Sequence, residues 1–276
     1  MSHTLTSTSA PSLPAKRRKR PSIATGIRLQ FLTDIKDPSF VFFAIIMPVA
    51  MYQIFGTNAS WAAEVVNDKT NVSATILVAM ATFSAAISAA SAAASTAADL
   101  SSGWARQVAL TAGGVSSYLT SRLVSALLMA IIPVTILYIM GAAQIAWMSS
   151  LGLWAVTYVL SITAGIPFAL FGLAVGMWAP ARSAPGIAGS ATSLLAFLGN
   201  AFMPLGGSLF TFARFTPMYG VLNLARRPMM DDAIPTADGV IHEPLWIPTV
   251  NALVWIAIFL IIVVLGFRRT TQRYRA

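Results

Sequence analysis

The chain is 276 residues long, 57% hydrophobic and only 10% charged, with a mean hydropathy of +0.73. A soluble domain carries about 25% charged residues, so a fully water-facing surface is excluded and an integral membrane protein is expected. The net charge of +9 falls at membrane-flanking positions, which favours topology over nucleic acid, and the absence of cysteine excludes disulfides, thiol catalysis and Cys-based metal sites.

Residues 1–22 are Ser, Thr, Pro and basic residues, including the run Lys16-Arg17-Arg18-Lys19-Arg20. Nothing there can pack, so a disordered basic cytoplasmic tail is expected, held inside by its charge and able to touch anionic head groups. A secretory signal fits less well, because residues 40–56 are followed by no small-residue cleavage site. Ile23, Ile27, Phe31 and Ile35 then recur every four residues, with Arg28, Asp34 and Lys36 read as lying elsewhere on the wheel. Residues 23–37 therefore read as an amphipathic helix in the membrane interface, stopped at Asp37-Pro38. The alternative is a helical extension of the first span.

Residues 38–267 read as one transmembrane domain. Six stretches within it lack charge: 40–56, 72–98, 123–143, 151–178, 186–205 and 246–267. At 1.5 Å per residue against about 30 Å of hydrocarbon, five are long enough to cross, while the first, with Pro48 inside, is marginal. The second turns almost wholly to Ala and Ser after Ser88, so its end either leaves the membrane or packs closely on its neighbours. Gly172 and Gly176 form a GxxxG pair with the same close-packing reading. The expected fold is thus all-α and polytopic, with six transmembrane helices. With both termini inside, most of the 18 basic residues become cytoplasmic, including the basic tail 268–276.

Two polar segments interrupt the spans. Residues 99–122 form an inner bridge between spans two and three, either a passive loop or the handle by which a soluble partner moves them. Residues 206–245 form a long, partly apolar outer segment with Asp231, Asp232, Asp238 and Glu243 as an acidic tip. Short helices dipping back into the membrane would make this an outer gate; a capping loop on the surface is the other reading. No counterpart of it exists in the first half, so an inverted-repeat carrier has no support.

The missing chemistry narrows the function. The apolar stretches carry no ionisable group for a proton relay. The only histidines are His3 and His242, and His242-Glu243 has no second His at helical spacing, so no metal site is expected. Without a Gly-x-x-x-x-Gly-Lys-[Ser/Thr] loop there is no nucleotide cradle, and any ATP hydrolysis must occur on another chain.

In order along the chain stand Lys36-Asp37-Pro38, Pro48, Phe55-Gly56, Asp99, Gly103-Trp104-Ala105-Arg106-Gln107 and Leu110-Thr111. They are followed by Pro167, Phe171-Gly172, Gly176, Met203-Pro204, Thr216-Pro217-Met218-Tyr219 and the basic tail. In this order and topology the chain resembles the permease subunits of bacterial type-2 ABC exporters, the group that includes drug-resistance, lipid and polysaccharide exporters. It departs from them at Asp99-Leu100, where a basic residue usually follows the acid, and at Ala112-Gly113-Gly114, where a proline usually follows Leu-Thr.

The resemblance implies a six-span permease in the bacterial plasma membrane, multi-pass, paired with a second permease chain as a homo- or heterodimer. It also implies separate ATPase subunits that hold ATP and magnesium, this chain binding no cofactor and not being an enzyme. Those ATPases would press on the inner loop and the interfacial helix, which makes Arg28, Asp99, Gly103, Trp104 and Arg106 the candidate coupling residues. Trp104 is the anchor in that reading, or else an interfacial belt residue. Phe202, Met203, Pro204, Phe210, Pro217 and Tyr219 are the candidate outer gate. An amphipathic or apolar cargo is expected, and a non-transporting membrane scaffold or sensor partner is the competing function.

Overall fold

The computed structural model describes residues 23–36, 38–101 and 114–273. The expected tail 1–22 and residues 102–113 of the bridge, including Gly103, Trp104 and Arg106, lie outside the described residues. Helices dominate: α1 (Ile23–Asp34), α2 (Val41–Thr57, after a single turn Pro38–Phe40), α3 (Val72–Ala94), α4 (Thr96–Ser101), α5 (Gly114–Ala142), α6 (Leu151–Thr163), α7 (Gly165–Trp178), α8 (Ala184–Leu198), α9 (Gly207–Ala213), α10 (Pro217–Met230) and α11 (Trp246–Arg273). Two short antiparallel hairpins join them, β1 (Val65–Asn67) with β2 (Thr70–Asn71) and β3 (Ala233–Thr236) with β4 (Gly239–His242).

Four helical segments are long and apolar enough to cross a membrane: Val72–Asp99, Tyr118–Ala142, Leu151–Trp178 and Trp246–Arg269. The other two apolar helices, α2 and α8, are shorter. In α8 the helix ends at Leu198 because Gly199 and Asn200 follow, Asn200 adopting φ 67 and its side-chain oxygen accepting the Leu205 N–H at 2.8 Å. The rest of the apolar stretch to residue 205 is irregular.

Proline chemistry explains two interruptions. Pro167 has no N–H for the carbonyl of Thr163, and the 151–178 helix breaks there into α6 and α7 around Ala164. Pro48 likewise leaves the Ala44 carbonyl without its helical donor. Ser84 of α3 donates its hydroxyl to that carbonyl, and α2 winds as π-helix over Val41–Ile46 and again over Tyr52–Thr57. Starts are capped by side chains: Asn71 accepts from Ala74 N at 3.0 Å and Ser150 from Leu153 N at 3.2 Å.

The central element is α3, buried on nearly every face by α2, α5, α6, α7 and α8. Its Ala and Ser side chains permit that crowding. A Cβ at Gly172 would overlap the Ala90 backbone, and one at Gly176 would stand 2.8 Å from the Ala94 carbonyl oxygen. The Ala/Ser half therefore packs closely on its neighbours as far as Ala94.

Two boundaries differ from the sequence expectation. Helix α5 begins at Gly114, so Arg122 belongs to the long apolar helix rather than to the bridge. In α1, Asp34 does not join the outer polar face. It lies seven residues after Ile27, two helical turns, and therefore on the same side as Ile27 and Phe31, facing α5.

Candidate functional site

The C-terminal ends of α1 and α3, the short α4 and the N-terminal part of α5 meet around one guanidinium. Arg122 is 4% exposed. Its Nη1 donates to Asp34 Oδ2 at 3.4 Å, its Nε to Thr96 Oγ1 at 3.3 Å and its Nη2 to Ser95 Oγ. Asp99 Oδ2 lies 3.6 Å from Nη2 and accepts the Tyr118 hydroxyl at 2.5 Å. A buried cation is tolerable only when its donors and charge are matched, and here two carboxylates and two hydroxyls match it.

These contacts fasten three segments that are far apart in sequence. Helix α1 enters through Asp34, the end of α3 and α4 through Ser95, Thr96 and Asp99, and α5 through Arg122 and Tyr118. Both ends of the 99–122 bridge are thereby tied to each other and to α1. Of the candidate coupling residues, Asp99 belongs to this cluster. Arg28 does not: it is exposed and borders a shallow apolar groove with Phe31, Leu128 and Ile132. Sequence reasoning missed Asp34, Tyr118 and Arg122; the shared face of Ile27, Phe31 and Asp34 was the available signal.

The outer segment holds a second polar centre. Glu243, read as part of a solvated tip, is 4% exposed. Its Oε2 accepts the Tyr219 hydroxyl at 2.7 Å, its Oε1 lies 2.7 Å from Arg214 Nη2, and its backbone carbonyl accepts Arg227 Nη1 at 2.7 Å. Burial, reinforced by the Glu243 carboxylate, keeps the Tyr219 phenol protonated well above its ordinary range. The remaining acids each fasten a loop: Asp231 pairs with Lys69 at 2.6 Å, Asp232 with His242 at 2.9 Å, and Asp238 accepts Gly207 N at 2.6 Å. The hydrogen bond to His242 holds the Asp232 carboxyl below the usual carboxylate range.

The six candidate gate residues do not form one layer. Phe202, half-buried against the main core, meets Phe83 edge-on at a centroid distance of 4.9 Å and Phe197 at 4.3 Å. Phe210 and Tyr219 pack edge to face at 5.9 Å within a smaller outer core, and Pro217 is buried at the start of α10. Met203 and Pro204 are exposed. One further cation was missed: Arg226 on α10 is 7% exposed, donates Nε to the Thr75 carbonyl at 3.3 Å, and is pushed down to about 10 by burial.

Compared with known proteins, the chain matches no family model and no curated sequence.

Proposed function

We propose that this chain is the membrane-spanning permease subunit of an ATP-binding-cassette exporter, moving an amphipathic or apolar cargo outward. In this reading α2 and α8 cross the bilayer beside the four longer helical segments, both termini are cytoplasmic, and the membrane is the bacterial plasma membrane. ATP and magnesium sit on separate ATPase subunits, and a second permease chain completes the path.

One observation carries the reading: the Arg122 cluster ties the interfacial helix to both roots of the inner bridge. A push delivered to the bridge or to α1 then reaches α3 and α5 as one body. A loop without a mechanical task needs no such fastening, since its charges are cheaper in water than buried. Between their charged ends, which include Asp99, Arg122 and Arg269, the four long segments carry no Asp, Glu, Lys, Arg or His from which an ion-coupled engine is usually built.

The test is affinity purification of the tagged chain from its native membrane, with ATPase activity read in the eluate. Wild type brings down an ATPase, and Trp104→Ala or Arg106→Ala lowers its yield at least several-fold at equal permease recovery. Undiminished ATPase with both variants removes the bridge as the docking point. An eluate without ATPase activity removes the export reading altogether.

A further inference from the structure

Beside the Arg122 cluster, three helix faces leave a cleft of about 470 Å3, within the roughly 300–1,000 Å3 common to small-molecule sites. Ile87, Ser91 and Ser95 line it from α3 at one-turn intervals, and Gly186, Gly189 and Ser193 line it from α8. Phe43 and Ala44 close the side formed by α2. The lining is graded. Asp34, Ser95 and Arg182 stand at one end, where Arg182 is exposed, while Ala44, Ile87 and Ser193 stand towards the other. At 1.5 Å per residue, the helical wall from Ala184 to Ser193 runs ~14 Å, about half of the ~30 Å hydrocarbon core. The cleft is one leaflet deep.

The two charges at its mouth are not equivalent. The Asp34 carboxylate already has the Arg122 guanidinium beside it at 3.4 Å. Arg182 is exposed, and among the described residues no carboxylate forms an ion pair with it. Helix α8 starts at Ala184, so the positive end of its dipole adds to the same mouth. A guanidinium in this position suits a phosphate or other acidic group.

We propose that the cleft binds an amphiphile from the inner leaflet, its acidic head held by Arg182 and its chain lying along Phe43, Ala44 and Ile87. This names the cargo class, and as cargo it rests on the export reading; binding itself requires only this chain.

The cysteine-free sequence makes the test direct. A Ser91→Cys variant carrying a bimane fluorophore is purified in dodecyl maltoside and titrated with phosphatidylglycerol, phosphatidylcholine or inorganic phosphate. Phosphatidylglycerol is expected to bind saturably, about tenfold more tightly than phosphatidylcholine, the difference one charge-assisted contact makes. Arg182→Gln should erase that preference and Arg182→Lys should keep most of it. Gly186→Phe fills the cleft from a position where an added Cβ meets nothing within 4 Å, and it should weaken both lipids together. Equal affinity for the two lipids, a preference surviving Arg182→Gln, binding unaffected by Gly186→Phe, or inorganic phosphate binding as tightly as phosphatidylglycerol each overturns the proposal. Because no ATPase is present, these failures are distinct from an empty co-purification, which strikes the export reading instead.

Discussion

At the residue scale, the informative positions are charges that sit where apolar side chains would be cheaper. Arg122 answers Asp34, Asp99, Ser95 and Thr96 together, so truncating it removes the cation that balances two carboxylates. Removing one partner of a buried pair costs about 3–5 kcal/mol. Arg122→Ala should therefore lower the thermal unfolding midpoint of the detergent-solubilised protein sharply. Asp34→Ala in that background should add much less than it does alone, because the two losses share one interaction. Additive losses would show that the pair is not coupled. Arg226 is the contrasting case. Its Nε donates to a backbone carbonyl of a neighbouring helix, and burial alone depresses its pKa. Arg226→Met keeps the volume and removes the desolvation cost, so the unfolding midpoint should hold or rise. A fall equivalent to more than about 2 kcal/mol would mean that the guanidinium has a stabilising role beyond the bond to Thr75.

At the element scale, helices pack here by removing side chains rather than by interlocking large ones. Gly172 lies against the Ala90 backbone, whereas Gly186 faces open space. Gly172→Ala should cost about 1–3 kcal/mol of stability by overpacking, while Gly186→Ala should be silent; equal effects at the two would refute close packing of α3 on α7. A second prediction concerns Pro48 and Ser84. Ser84→Ala strips the Ala44 carbonyl of its donor and should cost about 1–3 kcal/mol. With Pro48→Ala the helix regains an N–H of its own, so the Ser84→Ala penalty should shrink in that background. The apolar segments were legible because hydrophobic length is a local property of the chain. The GxxxG pair was legible too, but its counterpart, Ala90 and Ala94, was not, since contact between distant helices leaves no mark in either alone. The break at Ala164 had a visible cause in Pro167. Arg122 was misplaced because a charged residue marks a span boundary only when nothing buried awaits it, and Asp34 was hidden by the same assumption. Glu243 read as solvent-facing for want of knowing that Tyr219 and Arg214 converge on it.

At the scale of the whole molecule, the open question is how many times the chain crosses. The 15 residues of α8 span ~22 Å as a helix and the 17 of α2 ~26 Å, both below the ~30 Å of an average hydrocarbon core. Short spans are accommodated by local thinning of the bilayer and by flanking residues that reach outward. Both helices have such flanks: Lys36 precedes α2 and Arg182 precedes α8, each exposed. The two segments also leave apolar side chains outward, Phe42, Phe43, Ile46 and Ile54 on α2 and Ile187, Leu194 and Phe197 on α8, which water would not tolerate as a continuous surface. Both helices are therefore predicted to cross, which puts the loops at the two ends of each on opposite sides. Single cysteines at Ser183 and Val240, both exposed, bracket α8 on its two ends. In intact cells a membrane-impermeant maleimide should label Val240→Cys at once and Ser183→Cys only after permeabilisation. A third cysteine at Ala63, exposed in the loop after α2, should behave as Val240→Cys does. If Ser183→Cys and Val240→Cys both label at once in intact cells, α8 does not cross. The cleft beside Arg182 would then open on the outer face, and the inner fastening around Arg122 could no longer belong to a cytoplasmic docking surface next to it.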